Sequence, residues 1–182
     1  KGYHYRDIAV ICSDMGTYAD HLERVCTEYQ IPVFMDYKKS ILLNAFVEYV
    51  RSVLSMVEQD FSYESVFRFL RTGFAEFTRD EIDRLENYVV AVGLRRYKKW
   101  QAVWARKTSS ADEEELAVLN GLRVRFVEMT ESLVFVLKQR KKTVRDICEA
   151  VYRFFVENQI QEKLNVMENC FAEKKELALA KE

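Results

Sequence analysis

Proline occurs once, at Pro32, and glycine only five times in 182 residues. These two residues are the usual punctuation of strands and turns, so their scarcity argues for long helices joined by short connections. Histidine occurs twice, at His4 and His21, and neither lies near any of the four cysteines, Cys12, Cys26, Cys148 and Cys170. No Cys-x-x-Cys pair exists, which removes the usual spacing of a zinc or iron–sulfur site and leaves free thiols of a reducing cytoplasm as the simplest reading. No apolar run reaches the ~20 residues of a membrane span, and the chain opens without a secretory leader. Both ends read as cut edges, since Glu173 to Glu182 keeps a helical pattern with no stop signal. The net charge is −1, so affinity for a polyanion must come from local patches.

What is present is a globular composition, 49% hydrophobic and 31% charged, in a chain long enough to hide roughly 70% of its unfolded surface. Asp7-Ile-Ala-Val-Ile11 has the short apolar run of a buried parallel strand. Asp14 or Thr17 caps a helix whose Leu22, Val25, Cys26 and Tyr29 share one face, and Ile31-Pro-Val-Phe-Met35 supplies a second strand. Together these read as a right-handed βαβ crossover. From Ser40 the pattern is helical. One helix runs from Ser40 to about Val57 with Leu43, Phe46, Val47, Val50 and Leu54 inward. Ser62 opens another that ends near Gly73. Thr78-Arg-Asp-Glu81 is a capping box ahead of Ile82, Leu85, Val89 and Val92, with a stop near Gly93. Residues 94–111 look irregular. Ser110-Ala-Asp-Glu113 opens a long helix to about Lys138 with Leu119, Leu122, Phe126, Met129 and Leu133 inward. Thr143 with Asp146 opens the next, carrying Ile147, Val151, Phe154 and Phe155, and a last helix starts near Gln161.

Motifs for nucleotide binding (Gly-x-x-x-x-Gly-Lys-[Ser/Thr]), for a serine nucleophile (Gly-x-Ser-x-Gly) and for zinc hydrolysis (His-Glu-x-x-His) are missing, so no catalytic or metal-ligating residue is assigned. Asp112-Glu-Glu-Glu115 resembles a metal cluster, but at a helix start it complements the dipole. Two basic stretches depart from the neutral total. Leu94 to Lys107 holds Arg95, Arg96, Lys98, Lys99, Arg106 and Lys107 with no acid, interleaved with Tyr97, Trp100 and Trp104. The cations suit phosphates, and the indoles of Trp100 and Trp104 suit stacking on unpaired bases. Alternatively, the tryptophans anchor a solvated loop to the core. Lys138-Gln-Arg-Lys-Lys142 with Arg145 lies between two helices, where it suits either a helix C-terminus or a DNA backbone.

The order of these strings resembles a known family. Tyr5 to Ile11 with Ile31-Pro-Val-Phe34 resembles the entry to the second RecA-like domain of UvrD-type helicases. The fuller likeness is to the B subunits (AddB) of the ATP-dependent helicase–nuclease AddAB. It runs through Val66-Phe-Arg-Phe-Leu-Arg-Thr-Gly73, Arg79 to Val89, Lys142-Thr-Val-Arg-Asp-Ile147, Glu162-Lys-Leu164 and Glu176-Leu-Ala-Leu-Ala-Lys181, and is weakest over 94–141. The resemblance implies an α-rich α/β fold. Residues 1–73 would be part of a RecA-like domain with a βαβ unit, and residues 74–182 an all-helical insertion. It implies a non-catalytic segment of a cytoplasmic hydrolase that resects double-strand breaks for recombinational repair. The implied partners are DNA and the companion helicase–nuclease chain (AddA), with no membrane. ATP, Mg and a 4Fe–4S cluster would be held elsewhere in the parent chain, with no cofactor on this segment. Active helicases of this type place an arginine after the first strand. Ser13 stands there and supplies no cation for phosphoryl transfer, which argues against the alternative of an active UvrD-like helicase. A helical interaction module without DNA binding is a further alternative.

Overall fold

The computed structural model describes residues 2–36, 41–109 and 111–173, without the side chain of Leu43. The chain divides into two compact units, residues 1–41 and residues 42–182.

In the first unit, Asp14 caps helix α1 (Met15–Glu28) by accepting from the Thr17 backbone N–H at 3.3 Å and the Thr17 hydroxyl at 2.7 Å. The helix buries Ala19. A short 3-10 turn at Tyr5–Asp7 precedes it, and no strand or sheet forms among the described residues. The expected βαβ unit of a RecA-like domain is therefore absent, and the fold is all-helical rather than α/β. The physical reason is pairing. A strand is defined by its ladder, and the apolar runs at 7–11 and 31–35 pair neither with each other nor with another segment. Their side chains stand in solvent, Ile11 at 98% and Phe34 at 90% exposure. Apolar runs of this length satisfy the pattern of a buried strand without supplying the neighbour that would bury them.

The second unit is a helical assembly. Asn44 caps α2 (Ala45–Glu58) through Oδ1, which accepts from the N–H groups of Phe46 and Val47. The expected cap, Ser40, lies outside the described residues. Ser62 caps α3 (Tyr63–Leu70) and Thr78 caps α4 (Arg79–Val92) in a full capping box with Glu81. Gly93 ends α4 at φ 70°, a left-handed conformation that suits glycine. Gly73 lies between α3 and α4, which pack on each other.

The stretch expected to be irregular contains a short helix, α5 (Tyr97–Gln101). Asp112 caps α6 (Glu113–Leu137) by accepting from the Glu115 N–H at 2.9 Å. The expected cap, Ser110, lies outside the described residues, and Glu113, expected as the far end of its box, is instead the first residue of α6. Thr143 and Asp146, expected to open the next helix, form a capping box at the start of α7 (Val144–Glu157), and α8 spans Ile160–Glu173. The resembling string at 176–181 lies outside the described residues.

Aromatic rings fill two centres. At the first, Tyr49 of α2 stacks on Phe69 and Phe154 at centroid distances of 5.3 and 5.9 Å. At the second, Phe126 of α6 meets Trp100 at 4.6 Å and Phe61 at 5.9 Å. Helix α2 buries Tyr49, Val53, Met56 and Val57, a face rotated from the stripe expected from spacing, of which Phe46 and Leu54 pack half-buried against the core. In a helix apolar on most sides, spacing does not choose the inward face. Lys163 of α8 donates to the Phe74 carbonyl at 3.0 Å and pairs with Glu76 at 3.1 Å, which ties the last helix to the α3–α4 loop.

Candidate nucleic-acid interface

The basic segment 94–107 is a hook held down on α6 and α4 from inside. Its two indoles are buried, Trp100 at 1% and Trp104 at 5% exposure, and they meet edge to face at 5.2 Å. Trp104 also stacks on Tyr88 of α4 at 5.1 Å. The Trp104 indole N–H donates to the Lys99 carbonyl at 2.9 Å, closing the hook on itself. Burial of an indole is stable when its N–H has such an acceptor.

Two polar residues of α6 complete the clamp. Asn120 accepts from the Trp104 backbone N–H at 2.9 Å and donates to the Trp104 carbonyl at 2.8 Å. Arg123 donates to the carbonyls of Trp100 at 2.8 Å and Gln101 at 3.3 Å, and to Asn120 Oδ1 at 3.0 Å. Tyr88 donates its hydroxyl to the Arg106 carbonyl at 2.9 Å. Backbone carbonyls of the hook that leave water thus find donors, as buried polar groups must. Burial lowers the Arg123 pKa from its ordinary value. Sequence reasoning missed Asn120, Arg123 and Tyr88. The available signal was an Asn and an Arg three residues apart on the apolar stripe of α6.

With the rings inside, the cations point out. Arg95, Arg96, Lys98, Lys99, Arg106 and Lys107 are all exposed. Lys107 pairs with Glu113 at 3.1 Å. Arg96 begins α5 with φ 72° and ψ 142°, a backbone conformation rare for any residue with a side chain. Neither indole offers a free face for a base. Ser13 is exposed in the first unit, one residue ahead of the α1 cap.

The second basic stretch follows α6. Lys138 reaches the Asp60 carboxylate at 2.5 Å, with its ammonium 5.0 Å from the Tyr97 ring centre. The hydrogen bond from Lys138 lowers the Asp60 pKa. Arg140, Lys141, Lys142 and Arg145 are exposed.

Among the described residues no group of three His, Cys, Asp or Glu side chains is placed to hold a metal ion. Cys12 and Cys26 are half-buried, Cys148 and Cys170 exposed, and all four are unpaired thiols. The acids at 112–115 are engaged in structure. Asp112 is the cap, Glu113 meets Lys107, and Glu115 takes a two-pronged contact from Arg84. That contact lowers the Glu115 pKa. Among the described residues no helix is long and apolar enough to cross a membrane.

Fold and surface define the class only as far as an all-helical module bearing a clamped basic hook. No family model matches the chain. Individual relatives do. The chain is 37% identical over 183 aligned positions to the B subunit of the ATP-dependent helicase/deoxyribonuclease of Lachnoclostridium phytofermentans, covering 99% of this chain and 16% of that protein. Its identity to the corresponding B subunit of Clostridium novyi is 36%, over 98% of this chain and 15% of that protein. For the B subunit of Clostridium acetobutylicum it is 34%, over 98% and 16%. The chain spans about one sixth of the length of the curated relatives it matches.

Proposed function

We propose that this chain is a segment of a helicase/deoxyribonuclease B subunit (AddB). Its task there is to engage DNA and hold the partner chain (AddA) during resection of double-strand breaks for recombinational repair. The similarity to B-subunit proteins over nearly its whole length supports the parentage. The observation that carries the DNA role is the inverted arrangement of the hook. Its aromatic rings and carbonyls are fixed inward, which leaves Arg95, Arg96, Lys98 and Lys99 exposed on a rigid support. A surface of exposed cations attracts phosphates through counterion release. The segment contributes binding, and the chemistry belongs to other parts of the parent.

The outer face of α7 supports the scaffolding half of the reading. Val144, Tyr152 and Val156 stand exposed in a row at helical spacing, the pattern of a surface that meets another protein. In the alternative of a pure interaction module, this face carries the whole function.

Fluorescence anisotropy with a single-strand-tailed duplex tests the DNA role. The chain binds, binding weakens steeply as salt rises, and the variant with Arg95, Arg96, Lys98 and Lys99 changed to Ala does not bind. Absence of binding by the unaltered chain at low salt refutes DNA engagement and leaves scaffolding of the partner chain.

A further inference from the structure

We infer that the two basic stretches, 94–107 and 138–145, form one continuous surface that follows the phosphates of double-stranded DNA and does not read bases. This rests on the DNA engagement proposed above and deepens it.

The stretches are far apart in sequence, but the fold joins them at one turn. Asp60 and Phe61, which follow α2, both take left-handed backbone conformations, φ 46° and 61°. Phe61 turns into the core and meets the Tyr97 ring at 4.6 Å. Asp60 turns out and takes the Lys138 ammonium at 2.5 Å. Its carboxylate also feels Arg96 and the Tyr97 backbone N–H. The start of α5 and the end of α6 therefore meet around a single acid, whose charge Lys138 balances. Glu131 also acts on Tyr97 from α6. Lys98 and Lys99 follow Tyr97 along the chain, and Arg140, Lys141, Lys142 and Arg145 follow Lys138, all exposed. Neither stretch contains an acid.

Neither stretch exposes an aromatic ring, although Val103 and Val144 stand exposed among the cations. The aromatic residues of the first stretch, Tyr97, Trp100 and Trp104, are buried, and the second stretch has none. Single-strand sites that bind by stacking need exposed ring faces. A rigid cationic surface without rings instead suits a stiff, dense row of phosphates. Duplex DNA offers one charge per about 1.7 Å of axis. Contacts of this kind position a protein on the backbone and carry no sequence information.

The test is anisotropy with a blunt duplex, with two further duplexes of different sequence, and with a poly-dT strand of equal length, each across a salt series. The probes meet the unaltered chain, the hook variant (Arg95, Arg96, Lys98 and Lys99 to Ala) and a turn variant (Arg140→Ala, Lys141→Ala, Lys142→Ala). Circular dichroism melting checks that each variant folds, and a charge-keeping turn variant (Lys141→Arg, Lys142→Arg) serves as control. The expected result is equal affinity for all duplexes and weaker binding to poly-dT. The turn variant binds duplex about tenfold less tightly, and its salt slope falls by about 0.9 for each phosphate it no longer neutralises. The charge-keeping variant binds as the unaltered chain does. If the turn variant keeps full affinity and slope while the hook variant loses both, the hook acts alone and this inference is overturned, with the proposed DNA role intact. Tighter binding to poly-dT than to duplex also overturns it. If the unaltered chain binds no probe, the proposed DNA role itself falls.

Discussion

Arg123 on α6 donates to the Trp100 carbonyl at 2.8 Å, so a residue that counts as surface charge in the sequence is an interior strut at 6% exposure. Its partners are two carbonyls and one amide oxygen, with no carboxylate among them. Hydrogen bonds from a charged donor contribute about 1.5–3 kcal/mol each, and acceptors stranded in the interior add a penalty. Arg123→Ala is expected to lower the unfolding free energy by about 2–4 kcal/mol, measured by urea unfolding followed by circular dichroism. A change within about 0.5 kcal/mol, the size of an ordinary surface substitution, would show that the clamp does not hold the hook.

Arg96 separates the fold from the binding surface. Its positive φ costs about 1–3 kcal/mol for a residue with a side chain, and glycine would occupy that backbone without strain. Arg96→Gly is therefore expected to raise the thermal midpoint while weakening DNA binding. Paired melting and anisotropy measurements check both halves. A lowered midpoint would mean that the guanidinium supports the fold through its field on Asp60.

Acid should unfold the second unit through its ion pairs and caps. Hydrogen bonds from Arg84, Arg68 and Lys138 lower the pKa values of Glu115, Glu48 and Asp60, and the Thr143 backbone N–H does the same for Asp146. A carboxylate whose folded pKa is depressed stabilises the fold above its unfolded pKa and loses that contribution as pH falls through the folded value. The urea midpoint should hold from about pH 7 to about pH 5 and fall steadily towards pH 3. Glu115→Gln should make that fall shallower. An acid slope unchanged in this variant would remove the Arg84–Glu115 pair from the account.

Phe126 is the keystone of the second aromatic centre, fully buried between Trp100 and Phe61. Phe126→Ala leaves a cavity beneath the hook, and losses for such a truncation run at about 3–5 kcal/mol. Urea unfolding should show this loss. A loss below about 1 kcal/mol would mean that the rings close over the gap.

The helices were legible where polar chemistry fixes an end. Thr78 with Glu81 forms the expected box, Thr143 with Asp146 opens α7 as expected, Ser62 and Gly93 hold the expected ends, and of the expected α6 stripe Leu119, Leu122, Phe126 and Leu133 are buried and Met129 half-buried. Failure came where the answer depends on a neighbour. The runs at 7–11 and 31–35 have the composition of strands but no ladder to join. Helix α5 was hidden because five residues give too little periodicity to register. The cations of the hook could be read one by one as exposed. The burial of Trp100 and Trp104 could not, because the same indoles suit a base or a core. Asn120 and Arg123 decide between these, and their role depends on a contact across some twenty residues of chain.

The protein has two tryptophans, and both lie in the hook, packed against each other and shut from water. Tryptophan emission, excited selectively over the ten tyrosines, therefore reports on this one segment. A blue-shifted band marks the closed hook, and a red shift at denaturant concentrations that leave the far-ultraviolet helix signal intact would mark local opening before global unfolding. The segment that carries the charges is thus also its own optical probe, with no dye attached.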